Sequence, residues 1–268
     1  CEGKSIFPLC GELDPTVVRK SAAAAGLPVD KPPVELSELP RPELPARPPV
    51  LCAGCPHRGV FQLLSKKKVP VTGAIGCYTL GLLPPLSAIH TCGCMGAGIG
   101  VAHGAAKAGI GERMVAVIGD STFYHAGLSA LANVAYNKAN VLTVILDNRS
   151  TAMTGHQPNP GTGFTLQQQP SEIIELEPLV RALGIHHVAT IDAYDVDGLE
   201  KAYKELMSHQ EPAVLVARRE CPLLPEIRRQ WVPLHVIEEK CTGCGICFRI
   251  GCPAILKSEE LDEKSRKP

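Results

Sequence analysis

The sequence predicts an α/β domain in which a parallel sheet is covered by helices on both faces. Three segments, residues 114–118, 141–146 and 213–217, are apolar at consecutive positions, as is typical of strands buried on two sides. Between the first two, residues 128–135 carry apolar side chains at helical spacing. Parallel strands need such crossover helices, so the alternation favours a parallel sheet.

Two further helices are expected between the second and third apolar runs. Pro178 can open one helix and Gly184 can end it. Asp197 is expected to cap the next helix, which carries Leu199 and Leu206 on its apolar face. These helices supply the second crossover.

Composition and charge exclude several classes of function. The 268 residues are 45% hydrophobic, and 27 basic residues balance 27 acidic ones, so no net field favours nucleic acid or an anionic membrane. No apolar run approaches the roughly 18 to 20 residues of a membrane span, and no basic then apolar leader is seen. We expect a cytoplasmic chain. Because it begins at Cys1 rather than Met, we also expect a fragment of a longer protein.

Three regions follow from the distribution of residue types. Residues 1–50 contain ten of the 24 prolines and predict an extended interdomain linker. Residues 51–233 hold the α/β pattern, and residues 234–268 form a small cysteine-rich module that ends in a charged stretch. Twelve cysteines without a secretory leader favour metal or cluster ligation over disulfides.

Polar residues follow two of the predicted strands at equivalent positions. Asp120 lies two residues after the first apolar run, and Asn148 lies two residues after the second. Parallel strands end at a common sheet edge, where such folds bind ligands, and hard oxygen ligands suit Mg²⁺. Alone, Asp120 is better explained as a helix cap and Asn148 as a turn residue. Their pairing reverses that preference.

A strand-ending Gly-Asp followed 28 residues later by a strand-ending Asn resembles the cofactor motif of thiamine-diphosphate enzymes. The resemblance implies that the side chains of Asp120 and Asn148 and the carbonyl of Ser150 bind Mg²⁺. It also implies that Gly119 and Ser121 lie beside the diphosphate, although the family usually has Gly where Ser121 stands.

Two loops resemble those of particular branches of the thiamine-diphosphate enzymes. Residues 151–157, TAMTGHQ, look like the TGGQ-type loop of 2-oxoacid:ferredoxin oxidoreductases, which implies cofactor contacts from Thr154, Gly155 and Gln157. The glycine-rich stretch 94–104 is similar to a second cofactor loop of related proteins. That similarity implies that Met95 and Gly96 also bind the cofactor.

The tail contains four closely spaced cysteines followed by proline, in the order C-x2-C-x2-C-x4-CP. This run resembles a bacterial ferredoxin motif, whose last gap is x3, and predicts a 4Fe–4S cluster in a ferredoxin-like module. A zinc knuckle is the alternative, and the fourth cysteine can serve this cluster or another one. We call these residues the tail cysteines: Cys241, Cys244, Cys247 and Cys252.

A second set of cysteines is spread along the α/β region. An early CxxC, a later Gly-Cys and a Cys after the last apolar run resemble the ligands of the proximal 4Fe–4S cluster in pyruvate:ferredoxin oxidoreductases. The alternative is a redox dithiol with two core thiols. We call this set the sheet-edge cysteines: Cys52, Cys55, Cys77 and Cys221. No partner is assigned to the remaining ones, Cys1, Cys10, Cys92 and Cys94.

The motifs CAGCPHRG, GCYTLG and GDSTFYHAG together resemble the alpha subunits of indolepyruvate ferredoxin oxidoreductases over residues 50–256. The resemblance implies that an aryl 2-oxoacid, CoA and oxidised ferredoxin become acyl-CoA, CO₂ and reduced ferredoxin. It implies thiamine diphosphate, Mg²⁺ and one or two 4Fe–4S clusters as cofactors. It also implies a beta subunit, the N-terminal part of the same subunit, and an anaerobic cell.

The catalytic residues are not identified by these motifs. His57 and His125 lie within them and are weak candidates for proton transfer. Two other functions are compatible with the sequence: a non-oxidative thiamine-dependent 2-oxoacid decarboxylase, and a module that only transfers electrons. The first would release an aldehyde, and the second would not bind thiamine diphosphate.

Overall fold

A computed structural model describes residues 5–30, 44, 46–110, 113–232 and 234–256. The chain divides into two compact units, Cys1–Pro48 and Pro49–Pro268. The first unit contains helix α1, Pro15–Ala24. Asp14 caps it by accepting hydrogen bonds from the amides of Thr16 at 2.7 Å and Val17 at 2.8 Å. The predicted extended linker did not include this helix, and its proline-rich part at residues 31–43 lies outside the described residues.

The second unit is built on a parallel sheet with helices packed against it. Within the described residues the sheet has six strands in the order β2-β1-β3-β4-β6-β5. The strands are β1 Val71–Gly73, β2 Thr91–Cys92, β3 Met114–Gly119, β4 Val141–Asp147, β5 His187–Asp192 and β6 Ala213–Arg218. The helices are α2 His57–Lys67, α3 Ala97–Lys107, α4 Asp120–Thr122, α5 Leu128–Tyr136, α6 Leu176–Ala182, α7 Val196–Ser208 and α8 Pro225–Arg228.

The predicted central strands and the two-sided covering of the sheet are confirmed. The three apolar runs form β3, β4 and β6, which are adjacent in the sheet. On β3, Val115 and Val117 pack in the core beneath α2 and α7, whereas Ala116 and Ile118 pack beneath α3, α5 and α6. Consecutive side chains of a strand point to opposite faces, so an uninterrupted apolar run is required here.

The helix boundaries correct two expectations. Helix α6 begins at Leu176, two residues before the predicted Pro178. Helix α7 is capped by Asp195 rather than Asp197, because the Asp195 side chain accepts the Gly198 amide at 2.9 Å. Asp197 instead stands in the first turn, where an acidic side chain is also favourable.

The cysteine-rich tail differs from the sheet domain. Its described residues, 234–256, form two short 3₁₀ turns at Glu238–Lys240 and Ile246–Ile250 and contain no strand. None of these residues is buried. Among the helices that the structure describes, none is both long and apolar enough to cross a membrane.

Candidate functional site

The carboxyl ends of β3 and β4 bring the predicted metal ligands together. The two strands pair in parallel with Gly119 opposite Leu146, so the chain leaves both strands at the same level. Asp120 begins α4 and Asn148 follows β4, and the two residues are only 3% and 6% exposed. The sheet register therefore places two buried oxygen-bearing side chains at one edge.

A set of hydrogen bonds surrounds the Asp120 carboxylate. Its Oδ2 atom accepts the Ser150 amide at 3.2 Å and the Asn159 side-chain amide at 3.1 Å. The Ser150 amide also donates to Asn148 Oδ1 at 3.2 Å. Asp120, Asn148 and Ser150 are thus linked through one backbone N–H, within a space that solvent hardly reaches.

The electrostatics of this space fit a bound cation. Burial, and to a smaller extent the nearby Asp147, raises the pKa of Asp120 to about 7. Among the described residues, no basic side chain forms an ion pair with Asp120. The buried Ser150 hydroxyl also forms no hydrogen bond with any residue that the structure describes. Because buried polar groups are normally partnered, these groups are suited to a divalent cation with hard oxygen ligands.

Asp147 is held differently from Asp120, although both are buried. Its Oδ2 atom contacts Arg218 Nε at 2.7 Å and Arg149 Nε at 3.4 Å. Arg218 also contacts Glu177 at 2.9 Å. Since Asp147 directly precedes Asn148, this network fixes the start of the loop that carries the Asn148 side chain.

A cavity at this edge contains most of the predicted cofactor-binding residues. Its wall includes seven of them: Met95, Gly119, Asp120, Ser121, Asn148, Ser150 and Thr154. Cys77 and His57 also line it. Gly96, Gly155 and Gln157 do not, so their predicted contacts with a cofactor have no counterpart in the cavity wall.

The loop at residues 151–157 is closed on itself. Thr154 donates from its hydroxyl to Gln157 Oε1 at 2.6 Å, and Gln157 returns a side-chain bond to the Thr154 carbonyl at 2.7 Å. Gly155 has a φ of +114°, a conformation that favours glycine. The Thr151 hydroxyl donates to Ser121 Oγ at 2.8 Å, which ties the loop to α4.

Gly96 has a structural reason to be glycine. It precedes α3 with a φ of +82°, and a Cβ atom there would lie 2.7 Å from Cβ of Ala126. Helix α3 can therefore begin close to the π-helical segment Phe123–Gly127 that follows α4. Met95, one residue earlier, lines the cavity.

The two candidate histidines are in different environments. His57 is 4% exposed, lines the cavity, and burial lowers its pKa to about 4. Its imidazole is therefore neutral near pH 7. His125 is exposed in the π-helical segment and is not part of the cavity wall.

The sheet-edge cysteines influence one another electrostatically. Burial, and to a smaller extent Cys52 and Cys77, raises the pKa of Cys55 to about 12. Burial followed by Cys221 and Cys52 raises the pKa of Cys77 to about 11. The Cys221 amide donates to the Asn148 carbonyl at 2.9 Å, so the backbone of this cysteine lies beside the cavity that contains Asp120. Sequence positions 52 and 221 are thus brought to one region.

The tail cysteines are more accessible. Cys241, Cys244 and Cys247 are exposed, and Cys252 is half-buried. In the part of the chain that the structure describes, neither cysteine group places three or more side chains close enough together to hold a metal ion. Cys10, Cys92 and Cys94 are exposed, and Cys1 lies outside the described residues.

Sequence reasoning missed two residues of the cavity region. Asn159 bonds to Asp120 from 39 positions away, and only its place before Pro160 marks it as a turn residue. Tyr78 lines the cavity, and its buried hydroxyl forms no hydrogen bond within the described residues. Its Cε1 atom lies 3.0 Å from where a Cβ of Gly119 would be, so glycine is favoured beside it.

The sheet domain that carries this site is similar to known proteins. Residues 74–217 match the family model of the thiamine pyrophosphate enzyme C-terminal TPP binding domain. The indolepyruvate oxidoreductase subunit IorA of Pyrococcus abyssi is 45% identical over 84% of the chain and 38% of its own length. That of Pyrococcus horikoshii is 47% identical over 79% of the chain and 36% of its own length. The chain thus spans less than two fifths of these relatives.

A solved structure has the same fold. The 2-oxoglutarate:ferredoxin oxidoreductase from Magnetococcus marinus, solved with 2-oxoglutarate, coenzyme A and succinyl-CoA bound, superimposes with a TM-score of 0.57. The match covers 75% of the chain and 73% of that chain at 20% identity. This similarity concerns the fold of the sheet domain.

Proposed function

The chain belongs to the thiamine pyrophosphate enzymes, and from its similarity to the IorA subunits of indolepyruvate oxidoreductase we propose its activity. It carries the cofactor-binding part of an enzyme that converts an aryl 2-oxoacid and CoA to acyl-CoA and CO₂. Two electrons leave the substrate, pass through iron–sulfur clusters, and reduce ferredoxin. The main support for this activity is the buried Asp120. It has no cationic partner among the described residues and shares its cavity with Cys77.

Asp120, Asn148 and Ser150 are the residues suited to hold Mg²⁺. The first two offer side-chain oxygens and the third its carbonyl, within a buried space. Gly119 and Ser121 line the same cavity and would flank the diphosphate. When bound, thiamine diphosphate would supply the nucleophilic carbon and the electron sink that decarboxylation of a 2-oxoacid needs.

Other residues of the site bind and orient. The buried Tyr78 hydroxyl can donate to an anionic oxygen, since burial raises its pKa to about 12 and keeps its proton in place. Met95 and Thr154 provide an apolar and a hydroxyl contact on the cavity wall. Gly96, Gly155 and Gln157 act indirectly, by shaping the two loops. His57, which is neutral, can donate one hydrogen bond and accept another.

The sheet-edge cysteines favour the oxidative reaction over simple decarboxylation. A non-oxidative enzyme needs no electron acceptor, whereas here Cys77 is in the cavity wall and the Cys221 backbone bonds to Asn148. Thiolates ligate 4Fe–4S clusters, so this set is suited to be the first electron acceptor. The tail cysteines would form the second cluster, in a ferredoxin-like module, on the way to ferredoxin.

The complete enzyme needs further components. We propose as partners the N-terminal part of the same subunit, a beta subunit and ferredoxin, assembled in the cytoplasm of an anaerobic cell. The chain itself is organised as a segment before residue 51, a cofactor domain over residues 51–233 and the tail. Iron and acid-labile sulfide per chain, measured after anaerobic purification, would count the clusters.

The test is Asp120→Ala in the intact assembly. Removing one of the proposed protein ligands should weaken thiamine diphosphate binding in Mg²⁺ by roughly 100-fold while the fold remains intact. Isothermal titration gives the affinity, and product analysis separates acyl-CoA from aldehyde. Asp192→Ala is the matched control, because Asp192 ends β5 at the same sheet edge but pairs with Arg219 at the surface. Unchanged affinity in the Asp120 variant contradicts the proposal.

A further inference from the structure

Arg58 is a buried cation that contacts two distant parts of the backbone. It is 4% exposed, and its guanidinium donates to the carbonyls of Leu51 and of Cys52, the latter at 3.3 Å. On its other side it donates to the carbonyls of Ile250 at 2.9 Å and Gly251 at 2.6 Å. The last two residues lie 192 and 193 positions away in the tail.

This guanidinium has no anionic partner among the described residues. Burying a cation without a counter-ion is unfavourable unless its donors are satisfied. Four carbonyl oxygens satisfy them here, and the tail provides two of the four. A detached tail would leave Arg58 with half of its acceptors, so the arrangement favours the docked tail.

Gly251 shows how closely the tail approaches. Its φ is +63°, and an added Cβ would lie 2.7 Å from Pro85 Cδ and 3.5 Å from the Arg58 Nη1 atom. A side chain larger than hydrogen would therefore strain the backbone and push the tail away from this surface. The contact is specific to glycine at this position.

The arrangement joins both cysteine groups through one rigid group. The Cys52 carbonyl belongs to a sheet-edge cysteine, and Gly251 directly precedes the tail cysteine Cys252. The guanidinium is planar and its donors point in fixed directions, so it limits how far the two backbones can separate. Lysine, with one ammonium on a flexible stem, cannot impose the same geometry.

We propose that Arg58 is a positioning residue that docks the tail onto the Cys52–Cys55 loop and thereby sets the separation of the two cysteine groups. The docking is inferred from the hydrogen bonds of Arg58 and the close approach of Gly251. Its consequence for electron transfer rests on the proposed function, in which each group holds a cluster. Electron transfer slows steeply with distance, so a fixed separation matters for the passage of electrons from one cluster to the next.

Amide hydrogen exchange of residues 246–256 in the anaerobically purified assembly tests the docking. Arg58→Lys keeps the charge but loses the planar set of N–H donors. Gly251→Ala disturbs the same contact by a change in the tail and removes no buried charge. Both should speed exchange at the Gly251 and Ile255 amides by roughly ten-fold or more. Arg113→Lys is the control, since Arg113 is 8% exposed and bonds to the Glu211 carbonyl instead. Unchanged exchange in both variants overturns the docking.

Electron paramagnetic resonance of the reduced assembly tests the consequence. Magnetic coupling between the two clusters should weaken in Arg58→Lys and Gly251→Ala and persist in Arg113→Lys. If exchange rises but the coupling is unchanged, docking does not set the separation. If the unaltered protein lacks tail iron, the proposed function fails for the tail, whereas the exchange experiment still decides the docking.

Discussion

The sheet edge and the tail present their candidate ligands in different ways. At the sheet edge, Asp120 and Asn148 are almost inaccessible to solvent and are fixed by strands with a continuous apolar core. In the tail, three of the four cysteines are exposed and no described residue is buried. The first site is preorganised by packing. The second lacks a core of its own and depends on what its cysteines bind and on its contact with Arg58.

The largest expected effect is therefore the removal of iron from the tail. Cys247→Ser should abolish the amide protection of the Ile246–Ile250 turn, because bound metal provides most of the folding free energy in so small a module. Protection in β4 should not change. Exchange mass spectrometry and iron analysis measure both regions, with the exposed Cys10→Ser as control. Equal loss of protection in β4 would show that the two regions are not separable.

A smaller effect is expected from Cys221→Ala, which alters the sheet edge without changing its apolar core. Decarboxylation should continue, but ferredoxin reduction should fall by roughly 10- to 100-fold, because removing a ligand lowers cluster occupancy and shifts its potential. Stopped-flow measurements of CO₂ release and ferredoxin reduction separate the two steps. Cys92→Ala is the control, as no ligand role is proposed for it. Parallel loss of both steps would argue against an electron-transfer role.

The smallest effect concerns the support of the sheet-edge site. Arg218→Met leaves the buried Asp147 with Arg149 alone and should lower the free energy of unfolding by about 1–3 kcal/mol. Lys67→Ala removes a more exposed ion pair with Glu200, so it should destabilise the fold less than Arg218→Met does. Urea unfolding at pH 7 measures both. A larger effect in the Lys67 variant would contradict this ranking.

The stability of the Arg218→Met variant should also depend on pH. Burial raises the pKa of Glu177, but hydrogen bonds from Thr190 and Arg218 outweigh it, and the pKa lies below its ordinary value. A lowered carboxyl pKa stabilises the fold above the ordinary pKa of 4.5 and loses this effect as pH falls. The difference between wild type and Arg218→Met should therefore shrink below about pH 4.

The sequence was most informative where one local pattern determined the structure. Apolar runs identified β3, β4 and β6, and the register of parallel strands then explains why Asp120 and Asn148 meet. Long-range contacts could not be predicted in this way. Asn159 reaches Asp120 from an irregular loop, and Arg58 reaches the tail across 192 positions, with no periodicity to mark either contact.

The starts of two helices were also predicted wrongly from the sequence. The Pro-rich start predicted an extended linker, yet Asp14 and Pro15 are a good helix start, and α1 forms there. The sequence predicts Asp197 as the cap of α7 instead of Asp195, because both are acidic residues near the helix start. Only the backbone conformation separates the two.

The pairing of β4 with β6 continues past the last residues of both strands. Asp147 lies opposite Arg218, and beyond that pair the Arg219 amide donates to the Asp147 carbonyl and the Cys221 amide to the Asn148 carbonyl, both at 2.9 Å. The peptide between Arg218 and Cys221 thus acts as a spacer of fixed length between the proposed cluster ligand and the proposed metal ligand. Inserting one residue would shift Cys221 by about one strand step, roughly 3.3 Å, and turn its side chain to the opposite side. Chain length in this segment should therefore tolerate less variation than residue identity.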